Sequence, residues 1–188
     1  MMKKKNAAWI LAIGIIFFLA SLKFDMQVNS FAESLRLEFL DLVFGFITNF
    51  GVVFVFMLIV PIIAVYSRDK KSSYTLLLAF IAAFALAFVM KLIFLRQRPD
   101  YVITYPLTQI INYSFPSMHA LVVFALLPIL IQHLPQQKNF WISFAFLVAL
   151  SRVYLGFHFL SDVVFGGLAG YFLGGFLLEM HERKKLWK

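Results

Sequence analysis

The sequence contains no cysteine, which excludes disulfides, thiolate metal centres and cysteine nucleophiles. Charge is scarce as well: charged residues make up 14% of the 188, and Asp and Glu together number 9 against 17 Lys and Arg. Long linkers and low-complexity runs are absent, so residues 1–188 read as a single domain. What is present is apolar. Hydrophobic residues reach 62%, aromatic residues 18%, and the mean hydropathy is +0.88. That is more apolar surface than one soluble core of this size could bury, and it implies an integral membrane protein. A net charge of +8 and a pI near 9.8 would suggest nucleic acid in a soluble protein. Here the basic residues sit in short connections and tails, where they set orientation in a bilayer, and no nucleic-acid partner is expected.

Met1 to Asn6 is a basic leader and Ala7 to Leu22 the first apolar segment. No small-x-small cleavage site precedes Lys23, so the segment reads as a short uncleaved span rather than a signal peptide. In Phe24 to Leu42, the residues Phe24, Val28, Phe31, Leu35, Phe39 and Leu42 recur at helical spacing, with Asp25, Asn29, Glu33, Arg36 and Asp41 between them. This predicts an amphipathic helix lying in the membrane interface; a surface connection with a chance stripe is the alternative. Further spans follow over Val43–Tyr66, Tyr74–Leu95, Ser117–Leu134, Phe140–Leu155 and Ser161–Met180, with kinks expected at Pro61 and Pro128. The expected fold is therefore all-α, with six transmembrane helices and one interfacial helix between the first two.

Lys3, Lys4, Lys5, the turn with Arg68, Lys70 and Lys71, then Lys138 and the tail with Arg183, Lys184, Lys185 and Lys188 all fall on one side of such a bundle. That side, with both termini, is predicted to be cytoplasmic. The other face then receives Arg98, the stretch Pro116 to His119, His158, Asp162 and the helix ends that bear Lys91 and Arg152.

Polar residues at such depth are costly and mark function. Lys91, Arg98 and Arg152 are three cations suited to the oxygens of a phosphate. Ser117 adds a hydroxyl, and the backbone N–H groups of Met118 and His119 at a helix start add anion-binding donors. His158 and His119 offer a nucleophile and a general acid or base, and Asp162 a carboxylate that can fix the His158 tautomer. Singly, Arg152 and Lys91 could merely snorkel and Asp162 could complement a helix dipole. A metal site built from His119, His158 and Asp162 ranks below anion binding, since three nearby cations would repel a divalent ion by several kcal/mol, roughly.

Lys91 with six residues before Arg98-Pro99, then Pro116-Ser117-Met118-His119, then Ser151-Arg152 with five residues before His158 and three more before Asp162, resemble the three motifs of the type 2 phosphatidic acid phosphatases. That family shares its site with the vanadium-dependent haloperoxidases. The resemblance implies that Lys91, Arg98, Ser117, Met118 and Arg152 bind phosphate, that His158 attacks it, that Asp162 orients His158, and that His119 protonates the leaving oxygen. It implies a metal-independent membrane lipid phosphatase without cofactor, acting through a phosphohistidine at the extracytoplasmic face. The substrate would be a lipid phosphate monoester or pyrophosphate, such as phosphatidylglycerol phosphate, phosphatidic acid or undecaprenyl pyrophosphate. Met118 departs from the family pattern, which has Gly there, and so bears on substrate shape. A non-catalytic lipid-phosphate binding or transport protein would need the cations but not two His and Asp162.

The remaining polar residues read as ordinary. His133 and His181 fall on the cytoplasmic side as interfacial residues, while Arg96 and Asp100 flank the site without reacting. Gly166, Gly170 and Gly174 form a ridge that lets helices approach closely, expected to pack within a monomer rather than to dimerise.

Overall fold

In the computed structural model, residues 4–67, 69–99 and 113–183 are described. Lys3, Arg68, Asp100, Tyr105 and the tail lysines Lys184, Lys185 and Lys188 lie outside them. Among the described residues the regular elements are all helical. They are α1 (Lys4–Ser34), α2 (Glu38–Ile47), α3 (Phe50–Tyr66), α4 (Lys70–Phe94), α5 (Met118–His133), α6 (Lys138–Tyr154) and α7 (Leu160–Glu182). Three of them, α1, α4 and α7, are long and apolar enough to cross a membrane, and the bent pair α2 and α3 makes up to four. Helix α5 is apolar but shorter.

Helix ends follow local chemistry. Pro61 has no N–H, and just before it the register loosens to a π turn over Val55–Ile59, with Val60 N–H bonded to the Val55 carbonyl five residues back. Asp69 caps α4 by accepting from Lys71 and Ser72 N–H. Gly156, at φ 72°, turns the chain out of α6.

The segment expected as one interfacial helix is divided. Residues 24–34 continue α1 without a break, and a new helix begins at Glu38. The interruption is held by the Tyr154 hydroxyl, which accepts from Leu37 N–H at 3.0 Å and donates to the Leu35 carbonyl at 3.2 Å. Within α1, Phe24 and Phe31 face outward while Asp25 is buried at 3% exposure. Helix α2 instead presents Phe39, Leu42 and Phe46 as an exposed apolar stripe. Both flanks of α2 meet the last turn of α6 at one end of the bundle, Leu37 at Tyr154 and Thr48 at Arg152, and α2 joins α3 at a bend of 42°.

The other helices run along the bundle. Phe50 and Phe54 of α3 meet Phe84 and Phe80 of α4 edge-on, while the Ser73 hydroxyl reaches the Ile62 carbonyl, which makes the pair antiparallel. Helix α7 is likewise antiparallel to α1, with Phe165 on Phe18 at one level and Ser161 on Asp25 at the next. Small residues let these helices close up. A Cβ on Gly170 would lie 2.2 Å from the Leu121 carbonyl oxygen, and one on Gly174 would lie 1.9 Å from that of Ala125. The glycine ridge of α7 therefore packs directly on the backbone of α5, inside this chain. On α4 the buried stripe Ala79, Ala83, Ala87 leads to Lys91 at the same four-residue step. Trp9, Phe17, Ile63, Ile93, Phe146 and Phe176 are exposed around the outside, an apolar girdle of the kind that lipid would cover.

Candidate active site

The sequence-predicted residues gather at the end of the bundle where α4 and α6 finish and α5 and α7 start. Lys91 is buried at 1% exposure in the last turn of α4 and its ammonium donates to the Tyr113 carbonyl. Leu95 then takes a left-handed backbone, φ 49°, which ends α4 and brings residues 96–98 back over the site. Such a conformation costs a bulky residue on the order of 1 kcal/mol, so the surrounding packing has to hold it. Arg98 and Arg152 both lie over the ring of Phe157, with guanidinium carbons 5.8 and 4.4 Å from its centroid.

The turn after α6 sets His158. Its backbone N–H bonds to the Arg152 carbonyl at 3.1 Å, folding the two motif ends together. The imidazole is buried, with Nδ1 3.6 Å from Asp162 Oδ2. Burial, then the positive charges of Lys91, Arg152 and Arg98, hold its pKa well below the usual imidazole range. Burial and these three cations disfavour the charged form of the ring.

Asp162 is fully buried and heavily engaged. It accepts from the Ser114 hydroxyl, from Phe159 N–H at 2.9 Å and from Arg96 at 2.8 Å. Its own carbonyl accepts from Ser117 N–H at 3.1 Å, tying the start of α5 to the start of α7. Ser117 is the residue before α5 but its hydroxyl caps nothing, and the first N–H groups of the helix have no intrahelical acceptor. Met118 packs its thioether into the apolar core, leaving its backbone at the helix start. His119 meets Phe50 edge-on, with ring centroids 5.4 Å apart.

Ser117 Oγ, His119 Nε2, Arg152 Nε and His158 Nδ1 are buried without a hydrogen-bond partner. Buried polar atoms are almost always paired, so four unpaired ones in a single cluster of cations and imidazoles mark a place built for a polar guest. Beside it a cavity of about 210 Å³ opens between α1 and the α6–α7 turn, lined in part by Asn29, Glu33, Arg36, Arg98 and Phe159.

Two supports are not in the motifs. Arg96, expected only to flank the site, bridges Asp25 and Asp162 with one nitrogen each at 2.8 Å. Asp25 also accepts from Ser161 N–H at 2.9 Å and from the Ser161 hydroxyl at 2.5 Å. Thr48 Oγ1 accepts from Arg152 at 2.9 Å. Neither Asp25 nor Thr48 carried a signal beyond a polar residue in an apolar helix, the one hint available.

A family model described as the PAP2 superfamily matches residues 73–186. The chain belongs to that superfamily. Similar curated proteins are an undecaprenyl-diphosphatase of Sulfolobus acidocaldarius, 34% identical over 131 residues, and phosphatidylglycerophosphatase B of Bacillus subtilis, 32% identical over 174. The matched part spans 66% of this chain and 63% of the archaeal relative, and 85% and 84% for the bacterial pair. Among solved structures, a transmembrane PAP2 type phosphatidylglycerolphosphate phosphatase from Bacillus subtilis is similar with a TM-score of 0.73 at 27% identity, covering 97% of this chain and 98% of that one. Aquifex aeolicus LpxE follows with 0.69 at 25%, covering 83% and 95%. This PAP2 chain is thus a membrane protein, all-helical among the described residues, whose likeness to the Bacillus structure extends over α1 to α3, beyond the segment that carries the superfamily pattern.

Proposed function

We propose that the chain is a lipid phosphatase that cleaves a phosphate monoester or pyrophosphate through a phosphohistidine. The observation that carries this reading is the set of unpaired buried groups facing three cations. Lys91, Arg98, Arg152, Ser117 Oγ and the N–H groups of Met118 and His119 would surround the phosphate oxygens; charge-assisted bonds of this kind contribute about 1.5–3 kcal/mol each. Asp162 Oδ2 lies 3.6 Å from Nδ1, and closing that gap to hydrogen-bonding distance in the phosphate complex would hold the proton on Nδ1 and leave Nε2 its lone pair. Nε2 attacks phosphorus, the bond from phosphorus to the lipid oxygen breaks, and the His119 imidazolium gives that oxygen a proton. In the second half His119 takes a proton from water, water oxygen bonds phosphorus, the N–P bond breaks, and phosphate leaves. Developing negative charge is met by the cations at each step, and no step calls for a metal.

Helices α1, α4 and α7 are long and apolar enough to span, and the bent α2–α3 pair would supply a fourth span; with the shorter α5 and α6 crossing a locally thinned bilayer, six spans result. The Lys/Arg distribution supports cytoplasmic termini and an extracytoplasmic site. The side cavity by Arg98 would admit a headgroup whose chain stays in the bilayer. The relatives' names support phosphatidylglycerol phosphate and undecaprenyl pyrophosphate as first substrates to try, with phosphatidic acid beside them.

Phosphate release from these lipids in detergent is the test, and it separates an enzyme from a binding or transport protein. His158→Ala should be inactive on lipid and on p-nitrophenyl phosphate alike. His119→Ala should lose far more activity on the lipid, whose alkoxide needs a proton, than on the aryl ester, whose phenolate leaves unaided. Turnover in His158→Ala, or equal losses on both substrates in His119→Ala, would reverse the assigned roles.

A further inference from the structure

At the opposite end of the bundle a second polar cluster joins the start of α4 to the ends of α5 and α7. Asp69, His133 and His181 each bring a ligand atom to within 4.8 Å of the others. Ser72 sits among them, fully buried: its Oγ is 3.0 Å from His133 Nε2, 3.2 Å from His181 Nε2, and bonded to Asp69 Oδ2. Asp69 Oδ2 and His181 Nε2 are 3.8 Å apart. Four ligands around a zinc ion at 2.0–2.1 Å stand roughly 3.3 Å from one another. The 3.0, 3.2 and 3.8 Å separations lie near that edge length, while the Ser72–Asp69 contact is shorter than it.

Proton bookkeeping strengthens the case. With the Thr75 hydroxyl donating to the Lys71 carbonyl at 2.9 Å, its 3.1 Å contact is made by accepting from His181 Nδ1. His181 therefore carries its proton on Nδ1 and turns the Nε2 lone pair into the cluster. A second partner that fixes the tautomer in this way is the usual support of a metal-bound histidine. Ser72 has a single proton for three neighbours. If it goes to the Asp69 carboxylate and His133 donates to Ser72, the His181 lone pair meets the Ser72 lone pair with nothing between. A cation supplies what that geometry lacks. Among the described residues, Lys70 lies over the Tyr66 ring and Arg183 pairs with Glu179.

We propose that Asp69, His133 and His181 form a site for a divalent transition metal of the zinc class, with Ser72 or a water completing four ligands. The ion would clasp together α4, α5 and α7, the helices that carry Lys91, His119 and Asp162 at their far ends. Some twenty residues of α4, about 28 Å, separate the clusters, so the ion takes no part in phosphate chemistry.

The test uses the full chain in detergent, freed of any affinity tag and stripped with a chelator. Titration with zinc should show one ion per chain and a rise in Tm, and cobalt substituted for zinc should give the intense visible absorption of a tetrahedral N/O site. His133→Gln and His181→Gln should each weaken zinc binding by a hundredfold or more. Thr75→Val, which keeps every ligand but removes the Nδ1–H acceptor, should weaken it by about tenfold to a hundredfold. No zinc-dependent change in Tm with no bound ion, or undiminished binding in the His133→Gln, His181→Gln double variant, would overturn the proposal. Binding is read directly, so a failure here leaves the phosphatase reading standing, and an inactive chain that still binds zinc would sink only the latter.

Discussion

Arg96→Met probes whether the site depends on a buried charge bridge. Arg96 is the link between two carboxylates whose side chains are 4% and 0% exposed, Asp25 and Asp162, and it lies over the Phe159 ring at 4.0 Å. Removing one partner of a buried pair costs about 3–5 kcal/mol, because the remaining charge is left without compensation. The Arg96 side chain is 28% exposed, so water can reach the vacated space, and the lower end, about 3 kcal/mol, is the expected loss. For a chain of this length that corresponds to a fall in Tm of about 6–12 °C. Asp25→Asn should cost less, about 1–2 kcal/mol, since Arg96 then keeps Asp162. In the double variant the loss should be smaller than the sum of the two by at least ~1 kcal/mol, because the orphaned Asp25 charge is gone. Kinetically, Asp162 is braced but not replaced, so kcat should drop about tenfold with KM little changed, on lipid and aryl phosphate alike. The assays are thermal unfolding in detergent and steady-state phosphate release on the four proteins. A Tm for Arg96→Met within about 2 °C of the parent, with additive effects in the double variant, would refute the reasoning.

Other expectations can be checked on the same preparation. The His158 pKa is lowered by burial and three cations, so its lone pair survives into acid and the acidic limb of kcat/KM should lie below about pH 6.5; a limb at or above that value would mean that His158 is not the group that titrates. Gly170→Ala should destabilise by about 1–3 kcal/mol and depress activity, because its Cβ would strike the Leu121 carbonyl, whereas Gly175→Ala, with open space around it, should be tolerated. Equal effects of the two substitutions would show that α5 and α7 are not in backbone contact. Because the sequence has no cysteine, single cysteines at the exposed Glu38 and Ser67 report topology cleanly, and an impermeant thiol reagent should label the first and not the second in intact cells. Labelling of the second alone would invert the orientation.

The site was legible because its members break a strong background. A Lys, two Arg, two His and an Asp among apolar residues need no long-range information to stand out, and their spacing ties them to a family. Small-residue stripes were legible for the same reason, as periodic gaps in a wall of large side chains. What sequence could not convey was which distant element answers each polar residue. Asp25 fell in a pattern that suits an interfacial helix, and nothing local says that its partners are Arg96 and Ser161. The long α1 was hidden because Lys23 and Asp25 interrupt the hydropathy where the helix itself continues. His133 and His181 each looked like an ordinary helix end, and only the fold brings them to one serine.

The carboxylate that holds Arg96 and the hydroxyl that holds Arg152 come from positions 25 and 48, upstream of the 73–186 stretch that bears the superfamily's pattern. Motif residues and the side chains that hold them therefore lie on separate lengths of the chain. A chimera that takes its motif half from this protein and its first helices from a relative would contain every motif residue and still work poorly, unless the donor offers an acid and a hydroxyl at those two places. Substrate-swapping experiments that exchange halves would then report a change in rate that belongs to Asp25 and Thr48, and credit it to the lipid.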